Sequence, residues 1–344
     1  MNILPHVKFP IADLHCDLLW YLSLDSKRTA NDRQVRCSIP HLKEGGVKIQ
    51  TMAIFTETNA NSVESGIAQG EIFKKLPKLY PDSFQFIRQT KELTLGEQSD
   101  KIGIVPAIEN ASAVCGEAEE LSLGLERLTA MQRKIGKLLY VSLTWNHENR
   151  FGGGALTKVG LKADGKELVD YLYAKGIALD FSHTSDYLAY DLLNYIDKKG
   201  WRLPILASHS NMRAIAEAPR NLPDDIAKEI IQRAGVIGFN FIRSFLGGNS
   251  PRVFSRHLEY LLKFRAEKNI CFGADFFCAE DLPAEIRKPP EALFFPSYDH
   301  AGAYGKVVEA WKKELLLPDP ILKDLCYGNY VRFVRRVIFS EPVN

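Results

Sequence analysis

The sequence predicts an α/β protein, a closed (β/α)8 TIM-like barrel with additional C-terminal helices. Three observations carry that expectation. Short apolar or β-branched runs recur roughly eight times, amphipathic helical segments separate them, and no Gly-rich dinucleotide turn follows any run. Strands alternating with helices imply parallel pairing through right-handed crossovers. Roughly eight strands is the number a barrel needs, and the missing Gly-rich turn favours the barrel over a doubly wound open sheet.

The first run lies in FPIADLHCDLLW (9–20), with Phe9, Ile11 and Leu14 apolar and Pro10 a turn signal. VKIQTMAIF (47–55), KIGIVPAIE (101–109), LLYVSLTW (138–145) and GIALDFS (176–182) follow, then LPILAS (203–208), GVIGFNF (235–241) and NICFGAD (269–275). Between them GKELVDYLYAKG (165–176) and DDIAKEIIQRAG (224–235) have helical periodicity and end in Gly, a frequent helix stop. Residues 56–99 exceed what one crossover needs and have room for extra helix. Residues 277–296, with several prolines and acids, read as a long loop, and 297–338 return to helix. There is no internal repeat. One barrel domain over 1–344 is expected, because α/β barrels use such a length for a single domain.

Composition narrows the function. With 46% hydrophobic and 25% charged residues the chain is an ordinary globular protein. A net charge of +2, with no basic cluster among aromatics, argues against nucleic acid. No apolar run is long enough to span a bilayer, and Met1 to Lys8 lack the regions of a signal peptide. The six cysteines are scattered without a CxxC pair, as expected of reduced, buried thiols in a cytoplasmic protein.

In a barrel, catalytic groups gather at the C-terminal ends of the strands. His15 and Asp17 stand two apart, so a strand would present both on one face, imidazole beside carboxylate, with Cys16 facing away. Alone, His-x-Asp is a weak signal. Glu109 ends the third run, His183 and His209 each follow a Ser after the fifth and sixth, and Asp275 ends the eighth. One strand-end histidine is more often a hydrogen-bonded structural residue than a ligand; several on one rim reverse that balance. Imidazole and carboxylate without thiolate favour zinc or a similar divalent ion. One catalytic zinc takes three protein ligands. His15, Asp17, Glu109, His183 and His209 exceed that need, which points to a two-metal centre with Glu109 between the ions.

These residues carry a resemblance. DLHCD (13–17), AIEN (107–110), DFSHTS (180–185), ASHSNMRA (207–214), PRNLPDD (219–225) and FGADF (272–276) occur in the order and spacing of the membrane dipeptidase (renal dipeptidase-like) family. HLKEGGVKIQ (41–50) and YGNYVRFV (327–334) extend the resemblance over nearly the whole chain. It implies a (β/α)8 barrel with two zinc ions, one held by His15 and Asp17, the other by His183 and His209, with Glu109 bridging. It places the arginine for the substrate carboxylate on Arg220 and the acid that handles the proton on Asp275. Two departures stand out. The family's Leu-Thr-His is here Leu143-Thr144-Trp145, with His147 two residues on as a replacement. Its Asp-Phe-Asp-Gly is Asp275-Phe276-Phe277-Cys278.

The chain is therefore expected to be a binuclear zinc dipeptidase that cleaves small dipeptides with a metal-bridging hydroxide. Asp275 would pass the proton to the leaving amine, Arg220 would fork onto the C-terminal carboxylate, and Trp145, Asn146 or His147 would donate to the oxyanion. Gly152-Gly153-Gly154 reads equally as a mobile loop or a plain turn. The rival reading is a metal-dependent amidohydrolase acting on N-acyl amino acids or other small amides. A non-catalytic barrel is a poorer third, because all five ligands and Asp275 are retained. The expected partner is a small dipeptide and the candidate assembly a homodimer, with neither nucleic acid nor membrane.

Overall fold

The structure, a computed structural model, describes residues 9–95, 98–282 and 293–339. Its strands are β1 (Ile11–Asp13), β2 (Val47–Phe55), β3 (Phe84–Phe86), β4 (Ile102–Glu109), β5 (Tyr140–Ser142), β6 (Ala178–Asp180), β7 (Ile205–Ala207), β8 (Val236–Phe239) and β9 (Ile270–Phe272). Eight of them, all but β3, form a parallel ring that closes because β2 pairs with β4 and β1 with β9. All eight expected strands are present.

Two departures from expectation have local causes. β3 falls in the stretch read as extra helix, which does contain helices Ser62–Leu79 and Thr90–Leu95. β4 meets β5 only at Ile108, so its first residues leave an open edge that β3 fills at Ile102–Ile104. β1 stops at Asp13, two residues before His15, because the Asp13 carboxylate takes the His15 N–H at 2.8 Å in place of a ladder partner.

Alternation along the strands separates two cores. Ala12, Ile49, Val105, Ala107, Tyr140, Ala178, Leu206, Val236 and Cys271 pack inside the barrel. Residues such as Ile54, Ile104, Val141, Leu179 and Ile237 face the surrounding helices. The last helix, Asn329–Ile338, sends Tyr330, Phe333, Val334 and Val337 into the inner cluster, and the Tyr330 hydroxyl bonds Thr51 at 2.9 Å. The side chains of this last helix thus extend the inner core and close it off.

The expected glycine stops differ from each other. Gly176 is left-handed and caps helix Ala163–Lys175. Helix Asp224–Gln232 ends earlier, with Ala234 taking the left-handed conformation. Gly235 is there for space, since a Cβ would lie 2.4 Å from the Ile205 carbonyl oxygen.

Candidate metal centre

Each candidate ligand lies at or just past the C-terminal end of a ring strand. Val105 and Ala107 face inward on β4, and the same period carries Glu109 inward. After β6 the chain turns at once into helix Asp186–Lys199, whose N-cap Ser185 accepts the Leu188 N–H. His183 is held in this short turn at φ 65°. Asn110 and Asp275 are also left-handed, at φ 70° and 62°. Such conformations cost about 1–3 kcal/mol each in non-glycine residues and persist where the surroundings over-determine them.

Glu109 sits between two groups. Its Oε2 lies 3.1 Å from His15 Nε2, and its Oε1 lies 2.7 Å from His183 Nε2 and 3.6 Å from His209 Nε2. Asp17 and Asp275 approach His15 Nε2 at 3.6 and 3.8 Å. The sets His15–Asp17–Glu109 and Glu109–His183–His209 each bring three buried ligand atoms within 4.8 Å of one another.

The second nitrogen of each ring is already committed. Tyr140 donates to the Leu14 carbonyl at 3.0 Å, so its oxygen accepts from His15 Nδ1–H at 2.8 Å. Ser208 donates to Asp180 at 2.6 Å and accepts from His209 Nδ1–H at 2.7 Å. The Asn146 carboxamide oxygen accepts from His183 Nδ1–H at 3.0 Å. All three Nε2 lone pairs therefore point into the centre, with those of His183 and His209 only 2.9 Å apart. Two facing lone pairs repel unless a cation lies against both. His15 Nε2 and Asp17 Oδ1 are buried without a hydrogen-bond partner. The donor set fits divalent ions held by imidazole and carboxylate, with the outer hydrogen bonds that orient such ligands.

The electrostatics divide the rings: burial opposes a charge on His15, but Tyr140 and Glu109 hold it well above the usual histidine value, so a divalent ion must displace a proton there. Burial, with charges on Arg220 and His15 opposed by Glu109, brings His183 down to about 4. Burial and the charge on His15 hold His209 well below the usual histidine value, so both rings are neutral as ligands must be. Burial opposes ionisation of Glu109, but His15 and His183 outweigh it and hold it well below the carboxylate range. Asp275 is pushed up to about 7, chiefly by burial, while Asn240 donates to its Oδ2 at 2.9 Å.

A cavity of about 440 Å³ opens over these residues, and Asp17, Glu109, Trp145, Asn146, His183, Arg220 and Asp275 all line it. Arg220 is buried rather than a surface residue. Its Nη2 reaches only the His209 carbonyl at 3.4 Å, its Nε has no partner, and its guanidinium lies over Phe245. His147 is not brought in: it is exposed and does not line the cavity, because its backbone has entered the loop that pairs with Gly154. Nor is the triple glycine a loose loop. All three residues are buried, and a Cβ on Gly153 or Gly154 would lie 2.2 Å from the Val159 oxygen or 2.1 Å from the Trp145 oxygen.

Sequence reasoning missed Tyr140, Asp180, Ser208 and Asn240. The repeated Ser-His after β6 and β7 was a visible signal for Ser208. Nothing local marks Tyr140, which meets His15 across the barrel from 125 residues away.

The model of the membrane dipeptidase family, peptidase family M19, matches residues 5–291. An uncharacterised dipeptidase of Schizosaccharomyces pombe is 24% identical over 82% of this chain and 74% of its own. Among the curated relatives, the matched parts of the first two span 67% and 52% of those proteins. Two solved structures share the fold at 20% identity, covering 96% of this chain and 99% of theirs. One is a family M19 dipeptidase, with a TM-score of 0.78. The other, with a TM-score of 0.77, is a Rhodobacter sphaeroides metallopeptidase bound to a phosphinate mimic of L-Ala-D-Ala.

Proposed function

The chain belongs to the membrane dipeptidase family, peptidase family M19, and we propose that this metallo-dipeptidase hydrolyses small dipeptides with two divalent ions, zinc or similar. The observation that carries the reading is Glu109, whose two oxygens face separate ligand sets, His15 with Asp17 and His183 with His209. When bound, such ions would activate a water and polarise the scissile carbonyl. Asp275, pushed up to about 7 by burial and held by Asn240, can take a proton from the attacking water and return it to the leaving amine. Arg220 receives the C-terminal carboxylate, its unpartnered Nε available for a forked contact. Of the three donors considered for the oxyanion, the Trp145 indole N–H remains. The Asn146 Nδ2 amide remains beside it, since His183 engages only the carboxamide oxygen, whereas His147 is exposed. No helix among the described residues is long and apolar enough to cross a membrane. All six cysteines are buried and unpaired, which supports the reducing cytoplasm as the compartment. We read the chain as one barrel domain.

An N-acyl amino acid also carries a carboxylate for Arg220, so the amidohydrolase reading is separated by experiment. The zinc-reconstituted protein is assayed on a dipeptide, its C-terminal amide and the N-acetyl amino acid, alongside Arg220→Lys. A lost charge-assisted contact is worth about 1.5–3 kcal/mol, so the dipeptide should outrun its amide by about ten- to a hundredfold. The variant should lose that factor on the dipeptide and little on the amide. Equal losses on both would make Arg220 structural. Preferential cleavage of the N-acetyl substrate would replace the dipeptidase by the amidohydrolase.

A further inference from the structure

We propose that the cavity selects dipeptides whose amino-terminal residue has a large apolar side chain, above all an aromatic one, seated against Trp20, Phe55 and Trp145. The proposal rests on the dipeptidase reading and adds a substrate class to it.

The argument is one of direction. Arg220 stands on the segment after β7, beside Phe245 from the segment after β8. If it receives the carboxylate, the carboxy-terminal residue lies on that side of the ring. The scissile bond must lie over Glu109 and the histidines. The amino-terminal residue then extends to the opposite side, which β1, β2 and β5 supply.

There the lining is aromatic. Trp20 meets Phe55 edge-on with ring centroids 5.3 Å apart, and Phe55 meets Trp145 at 5.2 Å. Trp145 lies 6.0 Å from the His183 ring, so the wall begins at the ligand cluster itself. Leu156 stands at the rim, 57% exposed, tied down by its N–H to the Asn146 carbonyl at 2.9 Å. The wall is also built into the fold, because Gly154 packs its backbone where any Cβ would strike the Trp145 carbonyl. Apart from the ligand carboxylates and the Asn146 carboxamide, its polar atoms are the two indole nitrogens. A lysine, aspartate or glutamate side chain laid there would be desolvated without a counter-charge, whereas an aromatic ring gains edge-to-face contacts and buries apolar area. Leu282 and Leu293 line the opposite side, and residues 283–292 lie outside the described residues, so the selectivity is assigned to the amino-terminal side alone.

The test uses the zinc-loaded enzyme on two dipeptide series, X-Ala and Ala-X, with X as Ala, Leu, Phe, Trp, Lys or Asp. Phe-Ala and Trp-Ala should exceed Ala-Ala in kcat/KM by about tenfold or more, mainly through KM, and Lys-Ala and Asp-Ala should fall below it. Trp145→Ala should collapse the Phe-Ala to Ala-Ala ratio severalfold, and Trp145→Phe should retain most of it. Calorimetric binding of phosphinate mimics of Phe-Ala and Ala-Ala gives the same ranking without turnover. Equal efficiencies across X-Ala, a preference confined to Ala-X, or a ratio untouched in Trp145→Ala would each overturn the proposal while leaving the dipeptidase intact. Failure to cleave or bind any dipeptide would overturn the dipeptidase reading itself, and this proposal with it.

Discussion

His257 and the three histidines of the centre are all buried, and they differ in what their second nitrogen does. In His257 both nitrogens are used by the fold: Nδ1 accepts the Met212 N–H at 3.2 Å and Nε2–H donates to the Leu246 carbonyl at 2.9 Å. That ring joins the segments following β7 and β8 and has nothing left for a ligand. His15, His183 and His209 each commit Nδ1–H to an acceptor and turn Nε2 toward Glu109. Burial of a histidine is therefore no sign of chemistry. A convergent lone pair that the protein does not itself satisfy is the sign.

The largest expected effect that tests this contrast is Glu109→Gln. Removing the charge between the two ligand sets should reduce bound zinc from about two ions per chain to one or fewer, and turnover by orders of magnitude. Elemental analysis of reconstituted protein reads the first, and two ions retained at full activity would end the bridging role. Asp275→Asn should act on chemistry alone. Turnover should fall by about 10²–10⁴-fold, the scale of general acid–base catalysis, with metal content nearly unchanged. Near-normal turnover would move proton transfer to another group.

His257→Leu should do the reverse, leaving metal content unchanged while destabilising the fold. It strands two buried backbone groups, at about 1–3 kcal/mol each. Its pH dependence is a sharper check. Burial holds His257 at about 4, below the ordinary value, so the unfolded chain takes up a proton at a pH where the folded chain refuses it. The contribution is full above about pH 6.5 and fades as pH falls toward 4. The stability gap between wild type and variant should therefore shrink by about 2 kcal/mol from pH 7 to pH 5 in urea titrations. A constant gap would show that His257 charges freely inside the fold.

The barrel was legible because eight apolar runs and their crossovers are local patterns, and the inward ends of those runs are where His15, Glu109, His183, His209 and Asp275 stand. Two features escaped for physical reasons. β3 depends on an edge of β4 left open by β5, a property of the assembled sheet and not of Phe84-Gln85-Phe86. His147 was considered on a strand period that the chain abandons after Ser142, where a glycine-packed loop begins. The acceptors Tyr140 and Asn146 come from the same strand and the segment after it. They serve two different histidines, a division of labour visible only once the ring closes.

The ring closes at Asp13. The β1–β9 register is a single pair, Asp13 with Phe272, and the Asp13 carboxylate supplements it by accepting from Gln50 at 2.9 Å, the Ala274 N–H at 2.9 Å and the Tyr304 hydroxyl at 2.7 Å. Two of the three residues that clasp the first strand, Ala274 and Tyr304, are thus made late in the chain. On the ribosome, His15 must wait for about 260 further residues before Asp275 emerges, and Asp13 for about 290 before Tyr304 does, a contact order that makes closure a late and slow event. All five ligands have been made by His209, but the strand that presents His15 and Asp17 keeps one open edge until β9 pairs with it. Tight capture of metal would then report ring closure rather than the mere presence of the ligands.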